Sequence, residues 1–413
     1  MEETNQFRKN FIWNTLGTGL NAFNSLFFMI IVTRINGIDN AGIFTLAFST
    51  ACILYAIGIY AGRVYQVTEL NKEITDNDFL LSRIITVLLM IIFVVLFCSF
   101  KQYNLQKTTV FVLLTVYKAL DAFCDVLYGI LQKNNDLNIV GKSLFMKSFI
   151  SIIGFLVIDL ITKNMIFSII ILLGIFILFT VIYDFKKIYK YINISIKPKK
   201  QNVLNVLTKG FLIFAISFLG MYIVNAPKYA IDTYLEENYQ TIFGIIVMPA
   251  TIISLVAQFL IHPYLNKIVA LYKERKLKEF KSILLQIIGT VFGFGIISTL
   301  LGYFIGTPVL GLIYGINLET YKMSLAIIII SATLYTVGTV LSSVLTTVRK
   351  TIPQFIIYLF ITGFAFIISD ILTKKNSIDG AVISYFSIMT AFSSLYIMYV
   401  KINLKKIFNK EEV

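Results

Sequence analysis

Charge is what this chain has least of. Only 14% of its 413 residues are Asp, Glu, Lys or Arg, where a soluble globular domain carries about 25%; a cytosolic enzyme with a solvated surface is thereby excluded. The three cysteines, Cys52, Cys98 and Cys124, all fall inside apolar blocks, so neither a disulfide framework nor a zinc site with paired ligand spacing is available. The single histidine, His262, precedes Pro263 at the end of an apolar block and is expected at an interface rather than in a catalytic role. No glycine-rich phosphate loop, zinc-ligand cluster or nucleophile elbow occurs. ATP-driven pumping and hydrolase chemistry therefore lack support, and neither a cofactor nor a resident metal is expected.

What is abundant is apolar sequence, 57% of the chain, in blocks long enough to cross a hydrocarbon core of about 30 Å with about twenty helical residues each. Six such blocks run over 11–33, 41–61, 80–100, 108–131, 138–161 and 164–185, and six more over 204–225, 239–261, 282–304, 323–344, 354–372 and 378–400. None alternates with the period-two pattern of a barrel strand, so an all-α polytopic membrane protein of twelve transmembrane helices is expected. Residues 1–10 carry Glu2, Glu3, Arg8 and Lys9. The block after them is too long for a signal-peptide core and lacks a small-residue cleavage site, so it is expected to remain as the first span.

Orientation follows from the basic residues, because loops rich in Lys and Arg stay on the cytoplasmic side. Placing both termini and every second loop together collects 27 of them against 8 on the other side, with Lys118 left inside a span. Both termini are therefore expected in the cytoplasm. The net charge of +14 reads as this bias and an attraction to the anionic headgroups of the bilayer; no nucleic-acid partner is expected, since no soluble platform presents the charges.

The chain also looks doubled. Ile43-Phe44 precedes Arg63 as Ile242-Phe243 precedes His262; Asp78-Phe79 opens span three as Glu279-Phe280 opens span nine. Asp159-Leu-Ile-Thr-Lys-Asn164 closes span five as Asp370-Ile-Leu-Thr-Lys-Lys-Asn376 closes span eleven. A six-helix unit used twice in the same orientation is the expectation: an N-lobe over 1–185, a basic cytoplasmic linker over 186–203, a C-lobe over 204–400 and a cytoplasmic tail over 401–413.

Polar residues inside the spans are the candidate site. Span four carries Lys118, Asp121, Asp125, Gly129 and Gln132 at helical spacings of three and four, one stripe that cannot face lipid, since each charge near the bilayer centre costs about 2.5–3.5 kcal/mol on insertion scales. Two readings stand: an internal Lys118–Asp121 pair that fastens span four to a neighbour, or the wall of a polar cavity. Two carboxylates one turn apart repel, which would suit Asp121 and Asp125 to carrying a coupling ion. Span one has Asn14, Gly17, Asn21 and Asn24 on one face, suited to interhelical hydrogen bonds or to a substrate path. Arg63 at the end of span two reads as a snorkelling anchor or as a ligand for anions. Arg34, ending span one, and Lys228, after Asn225-Ala226-Pro227, hold matching places at the expected external mouth. With Lys118 they would make a set of cations across the membrane depth, suited to a phosphate-bearing substrate. Pro249 in span eight marks a kink, and Thr336, Thr339, Ser343 and Thr346 in span ten mark close helix contact.

Three stretches carry a resemblance. Gly62-Arg63-Val64-Tyr65-Gln66-Val67-Thr68-Glu69, Asp78-Phe79-Leu80-Leu81-Ser82-Arg83, and Asp125-Val126-Leu127-Tyr128-Gly129-Ile130-Leu131-Gln132 with Gly141-Lys142-Ser143 resemble bacterial Wzx-type flippases of capsule and O-antigen repeat units, in the multidrug/oligosaccharidyl-lipid/polysaccharide (MOP) superfamily. Asn134-Asn135-Asp136-Leu137 departs from the pattern, which has an arginine there. The resemblance implies alternating access between two lobes of the inner membrane, a substrate of short oligosaccharide on undecaprenyl diphosphate, an H+ or Na+ gradient as drive, and glycosyltransferases and a polymerase as pathway partners. A lipid II flippase and a drug or cation antiporter share the architecture. A membrane glycan polymerase is the rival from the enzymes, and it calls for a larger external loop than any here.

Overall fold

The computed structural model describes residues 2–60, 62–69, 73–192 and 197–409, with side chains for all of these except 2–5, 64, 255–263, 265, 266, 405–407 and 409. The chain divides into two compact units, Met1–Met221 and Tyr222–Val413, and every regular element among the described residues is a helix. The first six spans are built from α1 (Glu2–Asn36), α2 (Ile38–Ile59) with the short α3 (Gly62–Thr68), α4 (Asp76–Lys101), α5 (Leu105–Lys133), α6 (Leu137–Thr162), and α7 (Met165–Phe179). The last of these continues through a π-helical turn, Thr180–Phe185, into α8 (Lys186–Ile188). The second six are α9 (Lys200–Tyr234), α10 (Glu237–Lys273), α11 (Leu277–Leu301) extended by a π-helical turn Gly302–Gly306 into α12 (Thr307–Tyr314), α13 (Lys322–Thr347), and α14 (Thr351–Asn409). α14 holds two spans, because Asn376 and Ser377 leave helical angles where the sequence places a loop.

Nine helices among the described residues are long and apolar enough to cross a membrane as they stand, α14 counting once. α5 is not among them, since its lysines and aspartates lower its apolar character. The lipid-facing side is visible as apolar stripes at helical spacing, such as Ile84, Leu88, Ile92 and Leu96 on α4, all exposed; in water such a surface would aggregate.

Local sequence explains the helix ends. Thr75 caps α4 in a reciprocal box with Asp78, and the Asn104 and Asn164 side chains accept backbone N–H groups at the starts of α5 and α7. α1 and α6 meet backbone to backbone: a Cβ on Gly17 would lie 2.1 Å from the Gly141 carbonyl oxygen, so only glycine permits this approach. Behind that contact Phe28, Tyr117, Phe155 and Phe176 pack as one aromatic core, with Phe28–Phe155 centroids at 4.9 Å and Tyr117–Phe176 at 5.4 Å.

The second unit has its own core around Phe392, whose ring lies 4.9 to 5.3 Å from Tyr335, Tyr358 and Tyr396 and against which Gly338 of α13 leaves no space for a Cβ. Of the small residues expected to make close contact in span ten, Thr346 meets Gln354 of α14, while Thr339 and Ser343 bond back to their own helix. The repeat shows in detail: Asp78 and Glu279 each stand third in their helices, α4 and α11, each followed by a buried phenylalanine. Span seven differs from expectation, since α9 runs past Pro227 to Tyr234. Proline removes one backbone donor without forcing a stop when the flanks remain helical, and Gln240 of α10 donates to the Lys228 carbonyl just beyond it. α10 likewise runs through Pro249. The side chain of His262 lies outside the described residues.

Candidate functional site

The polar stripe of α5 is taken up, residue by residue, by α2, α3 and α4. Lys118 Nζ donates to Asp121 Oδ2 at 3.0 Å and lies 5.4 to 5.5 Å from the ring centroids of Phe48, Tyr55 and Tyr117. This is a lysine in an aromatic cage with its counter-charge one turn away, stabilised by the ring faces as well as the carboxylate. One turn on, Asp125 meets two arginines. Arg83 of α4 is 6% exposed and its Nη2 donates to Asp125 Oδ2 at 3.3 Å, while its Nη1 donates to the Gly58 carbonyl at 2.6 Å. Arg63 of α3 approaches from the other side, its Nε 3.6 Å from Asp125 Oδ1.

The break between α2 and α3 is what brings Arg63 there. Tyr60 and Gly62 both have positive φ, +48° and +68°, the second eased by glycine, and α3 is then hooked onto α5 by Gln66. That buried amide donates to the Val126 carbonyl at 3.2 Å in space left by Gly129, where a Cβ would stand 2.1 Å from Gln66 Oε1. Gly129 therefore belongs to the stripe as a socket.

Of the other sequence candidates, Asn24 touches the edge of this cluster through a side-chain hydrogen bond with Tyr117. Asn24 Nδ2 of α1 donates to Ser148 Oγ of α6 at 3.1 Å and to Asn21 Oδ1 at 3.3 Å, so the asparagine stripe makes interhelical bonds inside the first unit. Arg34 is exposed in the last turn of α1. Lys228 is a buried residue of the second unit.

No protein-family model matches the chain. A curated protein of Staphylococcus aureus described as capsular polysaccharide biosynthesis protein CapF is 24% identical over 399 residues, covering 95% of this chain and 99% of that one. A multidrug-resistance MATE-family transporter of the MOP superfamily, solved in an inward-facing conformation, superposes with a TM-score of 0.70 at 14% identity, over 97% of this chain and 96% of its own. This is the fold of the MOP-superfamily transporters. A Pyrococcus furiosus member, described as having a binding pocket of reverse polarity that suggests a different function, gives a TM-score of 0.63 at 14% identity over 98% of this chain and 96% of that one. These likenesses bear out the resemblance drawn from the motifs, and the fold is that of MATE-family structures.

Within the MOP fold of this chain, sequence reasoning missed two buried cations. The 27 basic residues placed on the cytoplasmic side include Arg83 and Lys147, which leaves Lys118 as the lone cation inside; the structure encloses all three, with side-chain exposures of 6%, 2% and 14%. Lys147 of α6 donates to Asp184 Oδ2 at 2.5 Å, with side-chain exposures of 2% and 0%. Asp184 sits in the π-helical turn Thr180–Phe185 and also accepts from Ser143 Oγ at 2.6 Å, while Lys147 reaches Tyr128 Oη and Cys124 Sγ, each at 3.2 Å. Both charges are fully satisfied and out of reach of any ligand. The signal was present as a second stripe, Ser143, Lys147 and Ser151, at spacings of four.

Proposed function

We propose that the chain is a flippase for undecaprenyl-diphosphate-linked oligosaccharide, moving repeat units from the inner to the outer leaflet of the bacterial cytoplasmic membrane for capsule or other surface polysaccharide. The observation that carries this reading is the excess of cation over anion at Arg63, Arg83 and Asp125: two guanidinium groups share one carboxylate, where the neighbouring Lys118–Asp121 and Lys147–Asp184 pairs are matched one to one. Such a site attracts phosphate and repels the cationic drugs that an antiporter of this fold would carry. The capsular description of the S. aureus relative supports the same substrate class.

In this reading Arg63 takes the diphosphate where the substrate enters, Lys118 meets it midway, and Arg34 and Lys228 receive it at the outer mouth; Asn21 and Asn24 line the saccharide's path. Asp121 faces one lysine, so when Lys118 turns to the substrate Asp121 is left to take H+ or Na+, which couples the anion to the ion gradient. Both termini face the cytoplasm. The test is transport of a fluorescent lipid-linked oligosaccharide in proteoliposomes. Arg63→Ala should abolish it at normal protein level, and Arg63→Lys should restore only part, because a bidentate fork becomes a point charge. Full transport by the alanine variant leaves Arg63 a headgroup anchor, and faster transport of lipid II than of repeat units moves the substrate to peptidoglycan precursors.

A further inference from the structure

The two arginines hold Asp125 unequally. Arg83 is fixed: Nη2 is on Asp125 Oδ2, Nη1 is on the Gly58 carbonyl, and Thr86 Oγ1 donates to the same carbonyl at 2.8 Å. Gly58 has no room for a side chain, a Cβ there standing 2.8 Å from that of Ala122, so the carbonyl that orients Arg83 is itself held by packing. Arg63 is loose by comparison in its side chain, although its backbone N–H also donates to the Asp125 carboxylate. Its side chain is 31% exposed, its Nε stands 3.6 Å from Asp125 Oδ1, beyond hydrogen-bonding reach, and its Nη1 is buried with no hydrogen-bond partner. A buried guanidinium N–H lacking an acceptor is costly, and an oxygen of an arriving anion would relieve it.

We propose that Asp125 is a resident counter-anion, kept in place by Arg83, that neutralises Arg63 in the unloaded protein and yields it to a phosphate of the polyprenyl diphosphate on loading. Arg83 is then a positioning residue that acts through Asp125 and never touches substrate. This rests on the flippase reading of Arg63 and revises one part of what the sequence suggested, since Asp125 becomes a stand-in for phosphate rather than an ion carrier. The charge count favours the exchange. Unloaded, one carboxylate serves two cations; loaded, Arg83 keeps Asp125 while Arg63 grips phosphate through its fork, so no buried charge is stranded at either stage. Without Arg83, Asp125 would face the incoming anion unpaired and would hold Arg63 against it.

The experiment measures equilibrium binding of farnesyl diphosphate, with inorganic pyrophosphate as the headgroup-only probe, to the full-length protein in nanodiscs. Asp125→Asn should tighten farnesyl diphosphate binding about tenfold, the order expected for removing a competing charge worth about 1.4 kcal/mol. Arg83→Gln should weaken it about tenfold in the wild-type background and change nothing further in Asp125→Asn, because its target is gone. Unchanged or weaker binding by Asp125→Asn overturns the exchange, and an equal loss from Arg83→Gln in both backgrounds overturns the positioning role by showing that Arg83 touches the ligand. Should Arg83→Gln not yield monodisperse protein, Arg83→Lys takes its place: it keeps the charge but cannot span the Gly58 carbonyl and the carboxylate together, so it too should weaken binding only where Asp125 is present. Arg63→Gln separates this proposal from the one beneath it. If that variant binds as wild type does, or wild type binds neither probe, the flippase reading of Arg63 fails; if it loses binding while Asp125→Asn gains none, the exchange alone fails.

Discussion

Replacing Lys147 by Met should be among the most destabilising single changes in the first unit. The substitution conserves shape and removes the charge, leaving Asp184 as an uncompensated carboxylate with 0% side-chain exposure. Breaking a buried pair on one side costs about 3–5 kcal/mol, whereas hydrogen bonds between membrane helices average about 0.6 kcal/mol, so the bonds to Tyr128 and Cys124 are the smaller share of the loss. Removing both partners as Lys147→Met with Asp184→Leu should recover most of it: Tyr128 Oη and Ser143 Oγ, 3.0 Å apart, can then satisfy each other. The assay is the monodisperse fraction of detergent-solubilised protein after a heating series, read for both single variants and the double, alongside transport in proteoliposomes. The pair is read as structural, so the double variant should transport near the wild-type rate. A single variant as stable as wild type, or a stable double variant that no longer transports, would refute that assignment.

Three further outcomes are expected. With Cys52, Cys98 and Cys124 replaced, a cysteine at position 376 should react with a membrane-impermeant thiol reagent from outside the cell and one at position 202 should not; the reverse pattern overturns the topology. Gly17→Ala should lower the amount of folded protein sharply, since its Cβ would meet the Gly141 carbonyl oxygen at 2.1 Å and backbone cannot give way cheaply; a normal melting profile would show that α1 and α6 meet less closely. Asp121→Asn should flatten the pH dependence of proteoliposome transport, and Lys118→Met with Asp121→Leu should fold but not transport; an unchanged pH profile, or an active double variant, would make the Lys118–Asp121 pair a fastener for α5.

The spans were legible because the signal for each is about twenty residues long and hydropathy averages over it; even the loop hidden inside α14 was placed at the right residues. The stripe of α5 was legible for the same reason in reverse, since charges spaced three and four apart within an apolar block have one face and cannot turn it to lipid. Its partners were not. Arg63 faces Asp125 only because the chain breaks at Tyr60 and Gly62, and such a break is set by two backbone angles that leave the hydropathy pattern unaltered. Arg83 was assigned to the wrong environment although the cue existed: Thr75 and Asp78 mark a helix start, which puts Arg83 already two turns inside. Lys147 was misplaced because a lysine near the end of an apolar run looks like a boundary, and its partner Asp184 stands 37 residues further on, in a π-helical turn that a regular helical spacing does not anticipate.

The two units solve the burial of polar groups differently, and the difference bears on how an anion is held without being trapped. In the second unit a buried polar network between α13 and α14 is neutral: Ser342 donates to Gln354 Oε1 at 2.7 Å, Gln354 donates to Thr346 Oγ1 at 3.1 Å, and Tyr396 donates to Ser342 Oγ at 3.3 Å. In the first, along the stripe of α5 and its neighbours, Lys147 is matched by Asp184 and Lys118 by Asp121, which leaves a local excess at Arg63 and Arg83 over Asp125, while buried Asp78 and Asp159 are held elsewhere by neutral donors. One unmatched charge about 4 Å from a phosphate oxygen is worth about 4 kcal/mol at an effective dielectric constant of about 20. That is enough to concentrate a lipid diphosphate at the site and small enough to be lost again when the surroundings change. Several unmatched lysines would bind the same group too firmly to release it, and full pairing throughout would not select it. On the proposed reading, a site with one exchangeable positive charge is what a carrier needs for an anion that must leave as readily as it enters.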